Sequence, residues 1–148
     1  MADTTFLKGD VERYVRDQLG VEFGIPFRPR VLRLETGGTH EFDAVSEGGR
    51  VVAAIKAASG LTSGRKNPSG KIKTAIAELY FLSLVEAPVR LLVLTNPEFH
   101  TIFSREIQGR LAKGLAIKLL PLPVEMEKRV REVQDMASKE VSGPSRKP

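Results

Sequence analysis

The chain contains no cysteine, which excludes disulfides, thiolate metal sites and cysteine nucleophiles. Only two histidines are present, so a histidine-rich zinc site is not expected. The start, Met1-Ala2-Asp3-Thr4-Thr5, lacks the basic opening of a secretory leader, and no long apolar segment follows it. The most apolar region, Leu79 to Leu94, is interrupted by Glu86, Pro88 and Arg90 and cannot serve as a membrane span. These absences lead us to expect a cytoplasmic protein that makes no use of a membrane.

What is present suffices for one domain with a core. The chain has 148 residues, 41% hydrophobic and 28% charged, the balance of an ordinary soluble globular protein. Its net charge of +5 and pI of about 9.7 favour a polyanionic partner, nucleic acid first. The same excess also keeps a protein in solution, and part of it lies in the tail, where Lys139, Arg146 and Lys147 stand against Glu140.

The hydrophobic pattern predicts a helix over Asp10 to Leu19, striped by Val11, Tyr14, Val15 and Leu19 and ended by Gly20. A strand follows at Val31 to Glu35, and Gly37-Gly38 turns the chain back. Asn67-Pro68 marks the start of a helix, with Asn67 as cap. That helix is expected to run to about Glu86 and to lie buried between the sheet and another layer, since Leu79 to Val85 is apolar on nearly all sides. Arg90 to Thr95 reads as a central strand covered on both faces. Asn96-Pro97 starts a further helix with Phe99, Ile102, Phe103, Ile107 and Leu111 on one stripe. Ala116 to Leu120 is the last expected strand, and an amphipathic helix carrying Met126, Val130, Val133 and Ala137 follows Pro123. The pattern gives an α/β layered domain with a mixed central sheet over residues 1–137, and a disordered tail over 138–148.

The most specific stretch is a hairpin, Thr39 to Val45 and Arg50 to Lys56, joined at Ser46-Glu47-Gly48-Gly49. Gly48 and Gly49 can supply the two positive-φ residues of a tight turn. With those two as the loop, Asp43 faces Ala54 and Glu41 faces Lys56. Strand alternation then puts Glu41, Asp43, Ala54 and Lys56 on one face. Two carboxylates and an ammonium gathered there suit divalent-metal chemistry on a phosphodiester.

Each of these residues also has a plain reading. Asp43 can be an exposed acid on the polar face of a half-buried strand. Lys56 can be a surface lysine, although it closes an apolar strand, where an unpaired ammonium is costly. Glu12 can pair with Arg16 four residues on. Glu78, set within Ala77-Glu78-Leu79-Tyr80-Phe81, needs a partner, a metal or a proton, and Lys71 shares its side of the helix. The loop from Ser59 to Lys66 is small, polar and basic. With Lys71 and Lys73 beyond it, Arg65 and Lys66 lead into a helix N-terminus, a place that suits phosphate. His40 precedes the site and is assigned no role.

Helix, meander, helix, strand, with Asp43 on the second strand and Lys56 closing the third, resembles the PD-(D/E)XK nuclease superfamily, the restriction-endonuclease-like fold. The resemblance covers roughly residues 10 to 95 and rests on topology plus a short motif. It implies that Asp43 is a metal ligand and that Lys56 positions or activates the attacking water. It implies that Glu12 is the helix-borne glutamate and that Mg²⁺ or Mn²⁺ is the cofactor. Ala54 stands where the family has its second acid and cannot bind a metal. Some restriction enzymes of the superfamily carry that acid on the following helix, which here points to Glu78, and Glu41 is a second candidate. The implied activity is hydrolysis of phosphodiester bonds in DNA, with Arg65, Lys66, Lys71 and Lys73 on the backbone and with a second copy or a partner protein often at hand. The alternative is a nucleic-acid-binding or protein-interaction domain that keeps the fold without catalysis.

Overall fold

The computed structural model describes residues 4–60 and 68–141, the side chains of 4–7 and 137–141 excepted. The elements run α1 (Thr4–Phe23), β1 (Phe27–Arg33), β2 (Thr39–Ser46), β3 (Val51–Lys56), α2 (Ser69–Ser83), β4 (Val89–Leu94), α3 (Pro97–Ile107), β5 (Leu115–Leu119) and α4 (Val124–Val141). This is the order that hydrophobic periodicity predicts. The protein is an α/β domain built on a five-stranded mixed sheet flanked by four helices.

Strand order follows chain order, β1-β2-β3-β4-β5. The first three strands form an antiparallel meander; β3, β4 and β5 run parallel. Two successive crossovers of the usual right-handed kind, advancing in one direction across the sheet, must lay their helices on the same face. Accordingly Ile72, Ala75, Leu79 and Leu82 of α2 join Phe99, Phe103 and Ile107 of α3 in one core, over Phe42, Val45, Val52, Ala54, Leu92 and Leu94. The opposite core holds Val11, Val15 and Leu19 of α1 and Val130 of α4, over Ala44, Val51, Ala53, Ile55, Leu91 and Val93. β3 and β4 thus bury both faces, as their continuous apolar runs require.

Several boundaries differ from the sequence expectation. α1 passes through Gly20 and stops at Gly24, whose φ of +70° a helix cannot continue. β1 begins at Phe27 and ends before Leu34, where the Leu34 and Gly38 backbones close a turn at 2.8 Å. α2 begins after Pro68 with no side-chain cap, Asn67 lying outside the described residues. It ends at Ser83, where Arg90 takes over its last carbonyls: Nη1 donates to Leu82 O at 3.2 Å and to Ser83 O at 3.4 Å, and beyond the helix to Val85 O at 3.3 Å. α2 is also an outer layer and not a sandwiched one. Ile76 and Tyr80 are 41% and 59% exposed, so only the stripe at spacings of three and four meets the sheet.

At the C-terminal edge of the parallel strands, the buried Asn96 joins two helices. Its Oδ1 caps α3 by accepting from Phe99 N at 2.8 Å, and its Nδ2 donates to Glu127 Oε1 of α4 at 2.9 Å. α4 extends to Val141, past the start of the expected tail; residues 142–148 lie outside the described set. No described helix is long and apolar enough to cross a membrane.

Candidate functional site

The hairpin turn forms as its glycines dictate. Gly48 and Gly49 have φ of +94° and +77°, and Gly49 N donates to Ser46 O at 2.8 Å. The register is the expected one, with Ala44 opposite Ala53 and Val45 opposite Val52. The shared face is not. β1 pairs Arg28 with Val45 and Arg30 with Phe42, so two residues of β2, Asp43 and Ala44, oppose the single Pro29. This bulge breaks the alternation of β2. Val45 and Phe42 both enter the core under α2 and α3, and Ala44 enters the one under α1 and α4. Ala54 is fully buried on the α2 side, away from the Asp43 carboxylate and α1. The expectation that Glu41, Asp43, Ala54 and Lys56 share one face is therefore corrected, because counting by twos fails across an inserted residue.

The bulge turns the Asp43 carboxylate toward β3 and α1. The β2–β3 ladder ends at Ala44–Ala53, and beyond it Asp43 Oδ2 accepts from Ile55 N at 2.8 Å. The side chain thus replaces a backbone partner for an amide that lies between Ala54 and Lys56. Arg16 of α1 donates through Nη1 to the Asp43 carbonyl at 3.1 Å and stands 3.8 Å from Glu12 Oε1. Lys8 flanks the same carboxylate at 3.9 Å. Burial, and next the Asp43 carboxylate, push the Glu12 carboxyl above its ordinary value of 4.5. Lys8 and Arg16 oppose that rise, and Glu41 adds a smaller push upward. Glu12, acted on by Asp43 and more weakly by Glu41 and flanked by Lys8 and Arg16, thus sits in a cluster of mixed charge between α1 and β2.

Beside this cluster a cavity of about 330 Å³ opens between α1, the end of β3 and α4. Its walls include Val11, Ile55, Val130 and Val133, and Lys8, Glu12, Lys56 and Gln134 also line it. The end of β3 thus borders the cavity beside Glu12, while strand alternation from Ala54 directs the Lys56 side chain to the α2 face. The cavity meets the edge beyond the carboxyl ends of the parallel strands, where α/β sheets commonly take ligands.

Other candidates lie elsewhere. Glu78 stands 3.9 Å from His40 Nε2, and the His40 ring stacks on Phe81 of α2 with centroids 3.9 Å apart and planes 6° from parallel. The partner this carboxylate meets is thus His40 and not Lys71. Lys71 donates to Ser59 Oγ at 2.8 Å, and burial lowers its pKa, opposed by Asp135. Lys73 is exposed on α2. Arg65 and Lys66 fall outside the described residues. Two participants were not among the sequence candidates. Arg16 was visible only as a partner for Glu12 at helical spacing. Gln134, whose Nε2 donates to Ala57 O at 2.9 Å, carries no signal in the sequence.

Among the described residues, no group of three or more His, Cys, Asp or Glu side chains is placed to hold a metal unaided. The site does not fit a cage made wholly of protein ligands. It does fit a cation such as Mg²⁺ that keeps several waters and is bound through one or two carboxylates together with a substrate phosphate. Glu12 and Asp43 offer two carboxylates of that chemical type. Comparison with models of known families, with curated proteins and with solved structures found no match.

Proposed function

We propose that the protein is a metal-dependent hydrolase of DNA phosphodiesters with a restriction-endonuclease-like fold, acting at the end of β3, with Asp43, Glu12 and Lys56 as its site residues. The observation that carries this reading is the Glu12 carboxyl, pushed upward by burial and by Asp43. The two carboxylates repel each other, and a divalent cation bound by both would remove that repulsion.

The residues divide the work by position. Asp43 and Glu12 would hold the cation, which when bound lowers the pKa of a water and offsets charge on the scissile phosphate. The Ile55 amide and Arg16 fix the Asp43 side chain and backbone, so little reorganisation is needed when substrate arrives. Lys56 closes β3 with its side chain on the face of Ala54, so its ammonium would meet the phosphoryl oxygens around the end of the strand and stabilise the negative charge that develops there. Lys71 and Lys73, with Arg65 and Lys66, supply further charge for the DNA backbone.

A second reading has an observation of its own. Position 54, where the resemblance calls for an acid, is a fully buried alanine on the far side of the sheet. That arrangement favours a domain that binds nucleic acid or protein on the same fold without cleaving.

The experiment is incubation of the full chain with single- and double-stranded DNA in Mg²⁺ or Mn²⁺, beside Asp43→Asn and Lys56→Ala. Cleavage by the wild type that both variants lose supports the hydrolase. DNA retention on a gel without cleavage supports the binding domain. Equal cleavage by all three proteins sinks the proposed site.

A further inference from the structure

We infer that the free edge of the sheet, strand β1, is a docking track for the phosphate backbone of DNA, gripped by Arg28, Arg30 and Arg33. This rests on the reading of the protein as one that handles DNA, and it names the surface on which the polyanion lies.

Phe27–Arg33 spends three of its seven residues on arginine and none on an acid, and all three arginines are exposed. Among the described residues, none of the three has a carboxylate within 4.0 Å or donates a side-chain hydrogen bond. Arginines with a structural duty in this fold are held differently. Arg16 donates to the Asp43 carbonyl at 3.1 Å, and Arg90 donates to Leu82 O at 3.2 Å. Unpaired guanidiniums this close along one strand repel each other, and an anion lying across them relieves that repulsion. A phosphate is the anion that the planar fork of arginine matches, through two parallel N–H donors.

The ordinary duty of charge on an edge strand is to block the addition of another strand. Here that duty is already met. Pro29, in the middle of β1, carries no N–H, and the bulge opposite it bends the edge. A second copy of the chain is the wrong occupant, because edge-to-edge pairing about a two-fold axis would set arginines against arginines.

The register fixes the faces. Arg28 and Arg30 stand opposite Val45 and Phe42, which enter the core under α2 and α3. Both arginines therefore share that face, where they line a concavity of about 160 Å³ with Ser46 and the exposed Glu47. Leu32 packs against the same core, so alternation puts Arg33 on the opposite face, the one to which the Asp43 carboxylate turns. The three arginines thus straddle the free edge. Pro29 opposes Asp43 and Ala44, which sets the track one strand spacing, about 5 Å, from the proposed metal ligand.

The test is binding of fluorescent duplex and single-stranded DNA to the full chain, by anisotropy, in a metal chelator so that nothing is cleaved. Salt is varied from about 50 to about 200 mM. Each of Arg28→Gln, Arg30→Gln and Arg33→Gln should flatten the plot of log affinity against log salt by about 0.9 on duplex and about 0.7 on single strands. Arg30→Lys keeps the charge and should keep the slope. Arg105→Gln removes an exposed charge from α3 and should also leave it unchanged. Unchanged slopes in folded Arg28→Gln, Arg30→Gln and Arg33→Gln would overturn the inference, as would equal flattening by Arg105→Gln or no DNA binding by the wild type. Displacement of the DNA by polyglutamate at equal charge would give the surface to an acidic protein and overturn it too. Flattened slopes in a protein that cleaves nothing in Mg²⁺ would keep this surface and remove the hydrolase. Cleavage with unchanged slopes would keep the hydrolase and remove this surface.

Discussion

The Asp43 carboxylate accepts the Ile55 amide at 2.8 Å, across the point where the β2–β3 ladder ends. One side chain therefore has two duties: it satisfies a backbone donor of β3 and presents its remaining lone pairs to α1. The two duties separate by substitution. Asp43→Asn keeps an amide oxygen for Ile55 N and removes the charge. Its stability should lie within about 1 kcal/mol of the wild type, with cleavage and metal binding lost. Asp43→Ala leaves the amide unpaired and should cost about 1–3 kcal/mol in addition. Chemical denaturation alongside DNA cleavage checks both. An Asn variant that cleaves normally would remove Asp43 from the chemistry.

Glu12 predicts a pH dependence with a definite sign. Its folded-state pKa lies above the ordinary 4.5, so the folded protein holds that proton more tightly than the unfolded chain. Between 4.5 and the raised value, stability falls as pH rises, and above it the loss is complete. Glu12→Gln removes this loss. The variant should melt above the wild type at neutral pH, the advantage closing as pH falls through the raised value toward 4.5. The ion pairs given up with Lys8 and Arg16 are loose, at 3.9 and 3.8 Å, and offset little. Mg²⁺ should reverse the order by raising the wild-type melting temperature and leaving the variant unmoved. Melting curves from about pH 4 to about pH 8 decide the matter.

The order of elements was legible because its signals are local. The stripe of Val11, Val15 and Leu19, the apolar run of β4 and the Asn96-Pro97 cap each declare their structure within a few residues. So did the turn at Gly48-Gly49, which requires positive φ at both positions. The Glu12–Arg16 pair followed from helical spacing alone. The bulge was not legible. It depends on how β1 aligns against β2, and nothing in Phe42-Asp43-Ala44 announces an extra residue. One unpaired position moved Asp43 to the α1 side and left Ala54 under α2. Gln134 was hidden for a like reason, since its partner Ala57 is 77 residues away and only the docking of α4 joins them. The end of α2 was misplaced because Arg90, beyond the helix, satisfies its last carbonyls.

Arg90 supplies a control that leaves the site alone. Its guanidinium also reaches Ser83 O at 3.4 Å and Lys113 O at 3.2 Å, so it ties the end of α2 to the turn before β5. Arg90→Leu should cost about 2 kcal/mol from unmet carbonyls and lost charge at a helix C-terminus. Metal binding at the opposite end of the sheet should not change. An equal loss of binding and stability would mean that the site responds to general loosening of the fold.

Ala54 gives the sharpest contrast between motif and structure. The PD-(D/E)XK resemblance suggests that Ala54→Glu would complete a metal site. The structure places this side chain at zero exposure among Val52, Leu92, Leu94 and the apolar stripe of α2. A carboxylate there must lose its hydration without a cation facing it, and its added volume must displace packed neighbours. The substitution should destabilise the protein by about 3 kcal/mol or more, with no gain in metal affinity. Urea unfolding and Mn²⁺ titration of the purified variant measure the two quantities. A variant of wild-type stability that binds Mn²⁺ more tightly would show that position 54 opens onto the Asp43 side of the sheet, and the assignment of Glu12 and Asp43 as a two-carboxylate site would fall with it.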